Sequence, residues 1–529
     1  MWGAVLLFAA ILTCWSVLTP AYRAPDEPQH VSAVVGLVEG QGWPRPGEAV
    51  MDQGVLASQT LIGYTVTADQ RGFRGGGNTL PGVRSGSADQ PPLYSVQEPT
   101  PAGERTPYDE LRAAGLDAQL PNQMTQHPPG YYAVVAAALS FAGDWRFDRQ
   151  LALLRLLGVA MVMWLPLLAF LTTRMLTGSA TLGSAAAFVP LAIPQLAHIG
   201  ASVNNDALVI LLGGVLVTLL AWVLTGGRSL LLLGSIAVVL GLALLSKGSM
   251  LAAIPATAAA VVVGLHRSRP AGPSRPWLWA GVKGVLVLSG AFAVGGWWWA
   301  LNQLRYGTLQ PNAYGESPLR DEPLSLLGFT AGFVERLSLS FWGNFGWLEL
   351  PLDQAVTTVL SVVVAPVALA AFADGRTRAP LLVLSVFPVV GVLALFASVY
   401  AVHQRNGQFP GMQGRYLFGA LVIGTAAVAI GLGVLARRVG LDQRWLVPLT
   451  AVVAVVVAGY GAVVAFSGFY LDVGVGVGAA WDFMSAWSPW PGWLVDTLAA
   501  ATVAIAAAVL TYTVAAAART RSAAWRHAS

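Results

Sequence analysis

Six short segments of the chain combine residue types that can do chemistry. The first is Ala24-Pro25-Asp26-Glu27-Pro28-Gln29-His30. Two adjacent carboxylates precede a histidine, and Pro28 favours the first turn of a helix. Asp26 and His30 are four residues apart, so they share a helix face if the helix begins early enough. Paired acids beside an imidazole suit general-base work. They equally suit a solvated helix start whose acids complement the dipole. Asp26 and Glu27 are also the residues that would hold a divalent cation, Mg²⁺ or Mn²⁺, if the chemistry uses one.

The second segment is Gln126-His127-Pro128-Pro129-Gly130-Tyr131-Tyr132, where two prolines fix the entry into a short apolar helix. It reads either as a site lined by His127 and Tyr131 or as a rigid turn with a tyrosine belt. The third, Asn204-Asn205-Asp206, opens an apolar run. It offers polar contacts from Asn205 and Asp206, or a helix N-cap. The fourth, Ser246-Lys247-Gly248-Ser249, sets a lysine in a tight turn between two apolar runs. Lys247 there suits a phosphate at headgroup depth, or a snorkelling cation.

The fifth is Phe341-Trp342-Gly343-Asn344-Phe345-Gly346-Trp347. Its aromatics, Trp342 and Trp347 among them, fit an interfacial belt or a stacking surface. The sixth is Gln413-Gly414-Arg415-Tyr416, a substrate-contacting turn or a headgroup anchor. His198 and His403 stand alone and read as structural. No zinc spacing, nucleotide-binding glycine loop or Gly-x-Ser-x-Gly elbow occurs.

The elements that position these residues follow from composition. Of 529 residues, 55% are hydrophobic and 11% charged, with mean hydropathy +0.63. Soluble domains carry about 25% charged residues, so this chain is solvated by lipid along most of its length. Net charge is +4, too weak a bias for nucleic acid. Lys247 and Lys283 are the only lysines, and the Ala, Val and Gly excess suggests a GC-rich bacterial genome. Cys14 is the single cysteine, so no intrachain disulfide forms.

A bilayer core needs about 20 apolar helical residues. Twelve segments qualify: 2–20, 155–173, 180–198, 206–224, 229–245, 249–265, 277–301, 354–373, 379–400, 416–436, 445–467 and 492–517. The first lacks a basic leading stretch and a clean cleavage site, so it reads as a retained anchor. Residues 128–142 are apolar but too short and read as an interfacial helix. The positive-inside rule supports that count. With the N-terminus inside, inner loops hold Arg174; Arg228; Arg267, Arg269 and Arg275; Arg376 and Arg378; and Arg437, Arg438 and Arg444. The tail adds Arg519, Arg521 and Arg526. Counting 128–142 as a span would move these clusters outside. The outer face then owns loops 21–154, 302–353 and 468–491 with a shorter one at 401–415, and 72–86 reads as a flexible Gly- and Arg-rich insertion. All six segments fall on that outer side. The expected class is an all-α polytopic transmembrane bundle, one domain over 1–529.

The ordered set of motifs resembles GT-C-type membrane glycosyltransferases that use polyprenyl-phosphate-linked sugars. Within them it is most similar to a bacterial multi-pass family of unknown function with a Pro-Asp-Glu-Pro-x-His motif. The resemblance covers positions 1 to about 436; the last two spans add no motif. It implies a GT-C fold, with juxtamembrane helices in the first loop over a cavity open to the outer leaflet of the cytoplasmic membrane. It also implies that Asp26 is the catalytic acid-base residue, with Glu27 as back-up, and that Lys247 meets the lipid phosphate. The substrate contacts it implies are His30, His127, Tyr131, Asn205, Asp206, Lys247, Trp342, Asn344, Trp347, Gln413, Arg415 and Tyr416. The implied reaction is inverting transfer from a polyprenyl-phosphate sugar to a glycan, lipid or protein acceptor. The chain lacks the large soluble C-terminal domain and the Trp-Trp-Asp motif of oligosaccharyltransferases, which disfavours protein as acceptor. A transporter or flippase of lipid-linked glycans, or a non-catalytic envelope scaffold, remains the alternative. The span interiors carry almost no ionisable residues for a transport path.

Overall fold

The computed structural model describes residues 1–62, 99–115, 120–268, 275–311, 322–471 and 476–526. The stretch 72–86 lies outside the described residues. Helix α1 (Trp2–Leu18) leads into a long connection that carries α2 (Glu27–Val38), α3 (Gln53–Leu61), α4 (Tyr108–Ala114) and α5 (Gly130–Leu139). The bundle continues through α6 (Phe147–Val162), α7 (Leu165–Thr177), α8 (Ala180–Phe188), α9 (Pro194–Gly200), α10 (Asp206–Leu224) and α11 (Leu230–Leu244). Next come α12 (Ala253–Arg267), α13 (Pro276–Ala291) and α14 (Trp297–Tyr306). A second connection holds α15 (Leu326–Trp342) and a small hairpin, β1 (Asn344–Phe345) paired antiparallel with β2 (Leu350–Pro351). The chain then forms α16 (Gln354–Ala370), α17 (Arg378–Asn406), α18 (Leu421–Arg438), α19 (Leu446–Tyr470), the short α20 (Val477–Trp487) and α21 (Gly492–Arg526).

The molecule is an all-α polytopic membrane bundle. Among the described residues nine helices are long and apolar enough to cross a bilayer. All twelve expected segments are helical and in the expected order, but three differ from simple spans. Segment 180–198 is broken into α8 and α9, bent by 72°, because Pro190 and Pro194 remove backbone donors there. Helices α1 and α11 have 17 and 15 residues, which is about 25 and 23 Å against a core of about 30 Å. Donors from outside cap the carbonyls at the C-terminal end of α11. Trp299 Nε1 donates to Leu244 O at 3.0 Å and Gly130 N to Leu245 O at 2.9 Å.

Helix α5 has ten residues, about 15 Å, half a bilayer core. Residues 302–353, expected as loop, hold the 17-residue α15; Glu335 and Arg336 within it interrupt the apolar signal. Helix α10 lies at the centre, packed on α6, α7, α11, α12 and α18. Helix α1 packs on α6, α9 and α21. Gly3 of α1 faces Val509 of α21, and Cys14 Sγ is 3.2 Å from Thr502 Oγ1.

Candidate functional site

The turn between α1 and α2 sets the first part of the site. Asp26 has φ 62° and ψ 9°, a left-handed conformation that non-glycine residues seldom adopt. Its carbonyl accepts from His30 N at 3.0 Å, which starts α2. The Asp26 carboxylate is half-buried, and Gln123 Nε2 donates to Oδ1 at 3.3 Å. Asn122 Nδ2 donates to Gln29 O at 2.9 Å, so the segment before α5 is tied to α2.

Glu27 faces the other way. It is fully buried and accepts from Arg155 Nε at 2.9 Å, Arg155 Nη2 at 2.7 Å and Val203 N at 3.0 Å. Adjacent carboxylates in the sequence therefore occupy different environments, one half-exposed beside cations and one sealed in an ion pair.

The motif around Gly130 seats the second wall. A Cβ at Gly130 would collide with the Leu245 carbonyl, so glycine is what lets α5 approach the turn that presents Lys247. Asn205 Nδ2 donates to Ser246 O at 3.3 Å, joining the same turn to the start of α10. Lys247 Nζ lies 2.7 Å from Asp206 Oδ1 and 4.9 Å from the centre of the Tyr416 ring. Lys247 is buried, not snorkelling, and burial pulls its pKa below the usual lysine value although Asp206 opposes the shift.

Arg415 completes the cluster. Its Nη2 is 3.0 Å from Asp26 Oδ2 and its Nε 3.5 Å from Asp206 Oδ2. One guanidinium thus stands between two carboxylates. Nη1 is buried and has no hydrogen-bond partner among the described residues. Gly414 is required by packing: its Cβ would strike the backbone of Phe341, and Gly414 N donates to Ser340 Oγ at 2.9 Å. The Gln413 Oε1 beside it is buried and unpaired.

Two histidines border the cations. His30 Nδ1 is 2.9 Å from the Tyr132 hydroxyl. Burial, then His127, Lys247 and Arg415, hold its pKa well below the ordinary value. His127 is pushed down to about 3 by burial and then by Lys247. Both are neutral at physiological pH. Tyr131 is fully buried beside Tyr132.

The aromatic segment 341–347 ties α16 and the chain after α1 together through its indoles. Trp342 is buried and donates Nε1 to Ser361 Oγ at 2.8 Å. Trp347 donates Nε1 to Tyr22 O at 2.9 Å. Asn344 sits in β1, and its backbone N donates to Gln195 Oε1 at 2.7 Å. Gly346, at φ 63°, makes the hairpin turn. Glu349, on the far side of the turn, forms a buried ion pair with Arg23. These residues brace the turn that carries Asp26.

The sequence reading passed over Arg155, Gln123 and the Arg23–Glu349 pair. Arg155 carried a signal, since an ionisable residue at the edge of an apolar run needs a partner. Metal binding does not match the donor set. Both Glu27 oxygens are engaged by Arg155 and Val203, Asp26 abuts a guanidinium, and no group of three or more metal-ligating side chains occurs among the described residues.

The fold and site define a multi-pass membrane protein with a charged cluster buried at one end of the bundle. Residues 8–423 match the family described as "Predicted membrane protein (DUF2142)", and the chain belongs to that family. No curated protein matches it. Among solved structures the chain is similar to ArnT from Cupriavidus metallidurans bound to undecaprenyl phosphate. That match has 13% identity and TM-score 0.42, over 96% of this chain and 77% of that one. The apo ArnT structure matches at 15% identity and TM-score 0.36, over 73% and 67%. The apo Archaeoglobus fulgidus oligosaccharyltransferase matches at 10% identity and TM-score 0.41, over 88% of this chain and 55% of that one. At such scores the likeness says nothing about chemistry.

Proposed function

We propose that the protein is an inverting glycosyltransferase that moves a sugar from a polyprenyl-phosphate donor to a hydroxyl of a cell-envelope acceptor, on the outer face of the cytoplasmic membrane. One observation carries the reading: a buried guanidinium with an unpaired Nη1 stands 3.0 Å from a half-exposed carboxylate. A buried unpaired donor is costly unless a ligand satisfies it, and a phosphate oxygen suits a guanidinium. The adjacent carboxylate is placed to take a proton.

The donor phosphodiester binds Arg415 Nη1 and Lys247, and Arg415 loosens its hold on Asp26. Asp26 accepts the proton of the acceptor hydroxyl. That oxygen forms a bond to the anomeric carbon while the bond from carbon to phosphate oxygen breaks. The electron pair leaves with the polyprenyl phosphate, whose added charge the two cations stabilise. A single in-line displacement inverts the anomeric centre. Asp206 keeps Lys247 and Arg415 together, and His30 and His127, neutral, add hydrogen-bonding capacity without competing for the phosphate.

The test uses purified protein in nanodiscs, a panel of undecaprenyl-phosphate-linked hexoses and pentoses, and a cell-envelope glycan fraction that supplies the acceptor hydroxyl. Wild type should release undecaprenyl phosphate from at least one. Asp26→Asn should lower that rate by about 10²–10⁴-fold while still binding undecaprenyl phosphate. No release by wild type, or an unchanged rate in Asp26→Asn, defeats the proposal.

A further inference from the structure

Arg155 is buried where α6 passes the end of α1. Its guanidinium has five N–H donors, and five hydrogen bonds use them. Nε and Nη2 donate to Glu27 at 2.9 and 2.7 Å. Nη1 donates to the carbonyls of Ser16 and Thr19 at 2.9 and 2.6 Å, and Nη2 to that of Pro20 at 2.9 Å. Arg155 therefore caps the C-terminal carbonyls of α1 and grips the first turn of α2 with one rigid fork.

Glu27 extends the grip. Its Oε1 also accepts from Val203 N at 3.0 Å, three residues before Asp206 in the chain. Asp26 is the residue before Glu27. The two carboxylates that flank Arg415 are thus each held a short stretch of backbone from one ion pair. Asp26 also needs such a hold, because its left-handed backbone persists only where its surroundings over-determine it.

We infer that Arg155, acting through Glu27, is a positioning residue that fixes the spacing of Asp26 and Asp206 around Arg415, and that Glu27 is not the base. The inference rests on the reading of Asp26 as base and Arg415 as phosphate site. It differs from a general packing role, because the fork uses every Arg155 N–H and engages both oxygens of the fully buried Glu27.

The experiment compares wild type, Arg155→Lys and Glu27→Gln in nanodiscs. Lysine keeps the charge but cannot reproduce five bonds in a plane. For Arg155→Lys, kcat should fall about 10²-fold, the cost of a displacement near 1 Å. Its affinity for undecaprenyl phosphate should stay within about 3-fold, since Lys247 and Arg415 are intact. Glu27→Gln should lose about 10-fold in kcat, well short of the about 10²–10⁴-fold loss expected of Asp26→Asn. A Glu27→Gln loss as large as that of Asp26→Asn makes Glu27 the base and overturns the inference. So does a proportional fall of kcat and lipid affinity in Arg155→Lys.

Amide hydrogen exchange supplies a reading independent of activity. In Arg155→Lys, exchange should quicken in peptides spanning 26–32 and 199–206 but not in α18. Unchanged exchange in those two peptides overturns the positioning role. A wild type without transfer activity defeats the glycosyltransferase reading instead, and the exchange result still decides this one.

Discussion

Replacing Lys247 with glutamine removes one unit of charge from the cluster and leaves an amide of similar length. Nζ lies 2.7 Å from Asp206 Oδ1, and the side chain is 9% exposed, so little solvent stands in for the lost cation. Opposite unit charges about 4 Å apart attract by about 4 kcal/mol at an effective dielectric of about 20. Asp206 repels the phosphate equally in both proteins and cancels, while the glutamine amide can donate to the phosphate and recover about 2 kcal/mol. The remaining ~2 kcal/mol is roughly 30-fold in Kd. The fold should survive. Glutamine can still donate to Asp206, and Arg415 Nε lies 3.5 Å from the same carboxylate. The penalty therefore stays below the ~3–5 kcal/mol that follows when a buried charge loses its partner outright. Undecaprenyl phosphate titrated into nanodiscs at fixed ionic strength reads the effect. Lys247→Gln should bind roughly 30-fold more weakly, and Lys247→Arg within about 5-fold of wild type. Equal affinity for wild type and a folded Lys247→Gln would refute the placement of the phosphate.

Three further outcomes are expected. His127 has a pKa of about 3 in the folded chain against about 6.5 unfolded, so below pH 6.5 only the unfolded state gains a proton there. Stability present above that pH is lost as pH falls toward 3; His127→Gln should flatten the decline of Tm from pH 7 to 5, and an unchanged slope counts against a neutral His127. Gly130→Ala should cost about 1–3 kcal/mol through overpacking on the Leu245 carbonyl, seen as a lower Tm, and a wild-type Tm would contradict the close approach. In intact cells, a cysteine at Ala102 in a Cys14→Ser background should react with an impermeant maleimide and one at Val439 should not; the reverse pattern inverts the topology.

Hydropathy and arginine placement made the helices legible, because a lipid-solvated helix must be apolar along its length. What they missed has local causes. Pro190 and Pro194 break a run that is uniformly apolar, and Glu335 and Arg336 mask α15. Within the site, residue type pointed to Asp26, Asp206, Lys247 and Arg415, which the structure brings together. Type did not separate Asp26 from Glu27, since two neighbouring acids differ only in which way the backbone turns them. The left-handed turn at Asp26 and the distant Arg155 make that difference, 128 residues along the chain from Glu27. The indole partners of Trp342 and Trp347, Ser361 and Tyr22, were not legible either, because they are set by the tertiary fold.

The contact between α1 and α21 has a consequence for how the protein is made. Cys14 and Thr502 are 488 residues apart in the chain. Synthesis at about 5–20 residues per second separates their emergence from the ribosome by roughly 25–100 s. For that interval α1 waits in the bilayer with one flank covered only by lipid, and the turn bearing Asp26 hangs from an unsealed helix. The seam between α1 and α21 closes only when α21 inserts. A truncated product therefore exposes the flank of α1, which a membrane protease or insertase can read as unfinished, although every residue of the charged cluster has already been made.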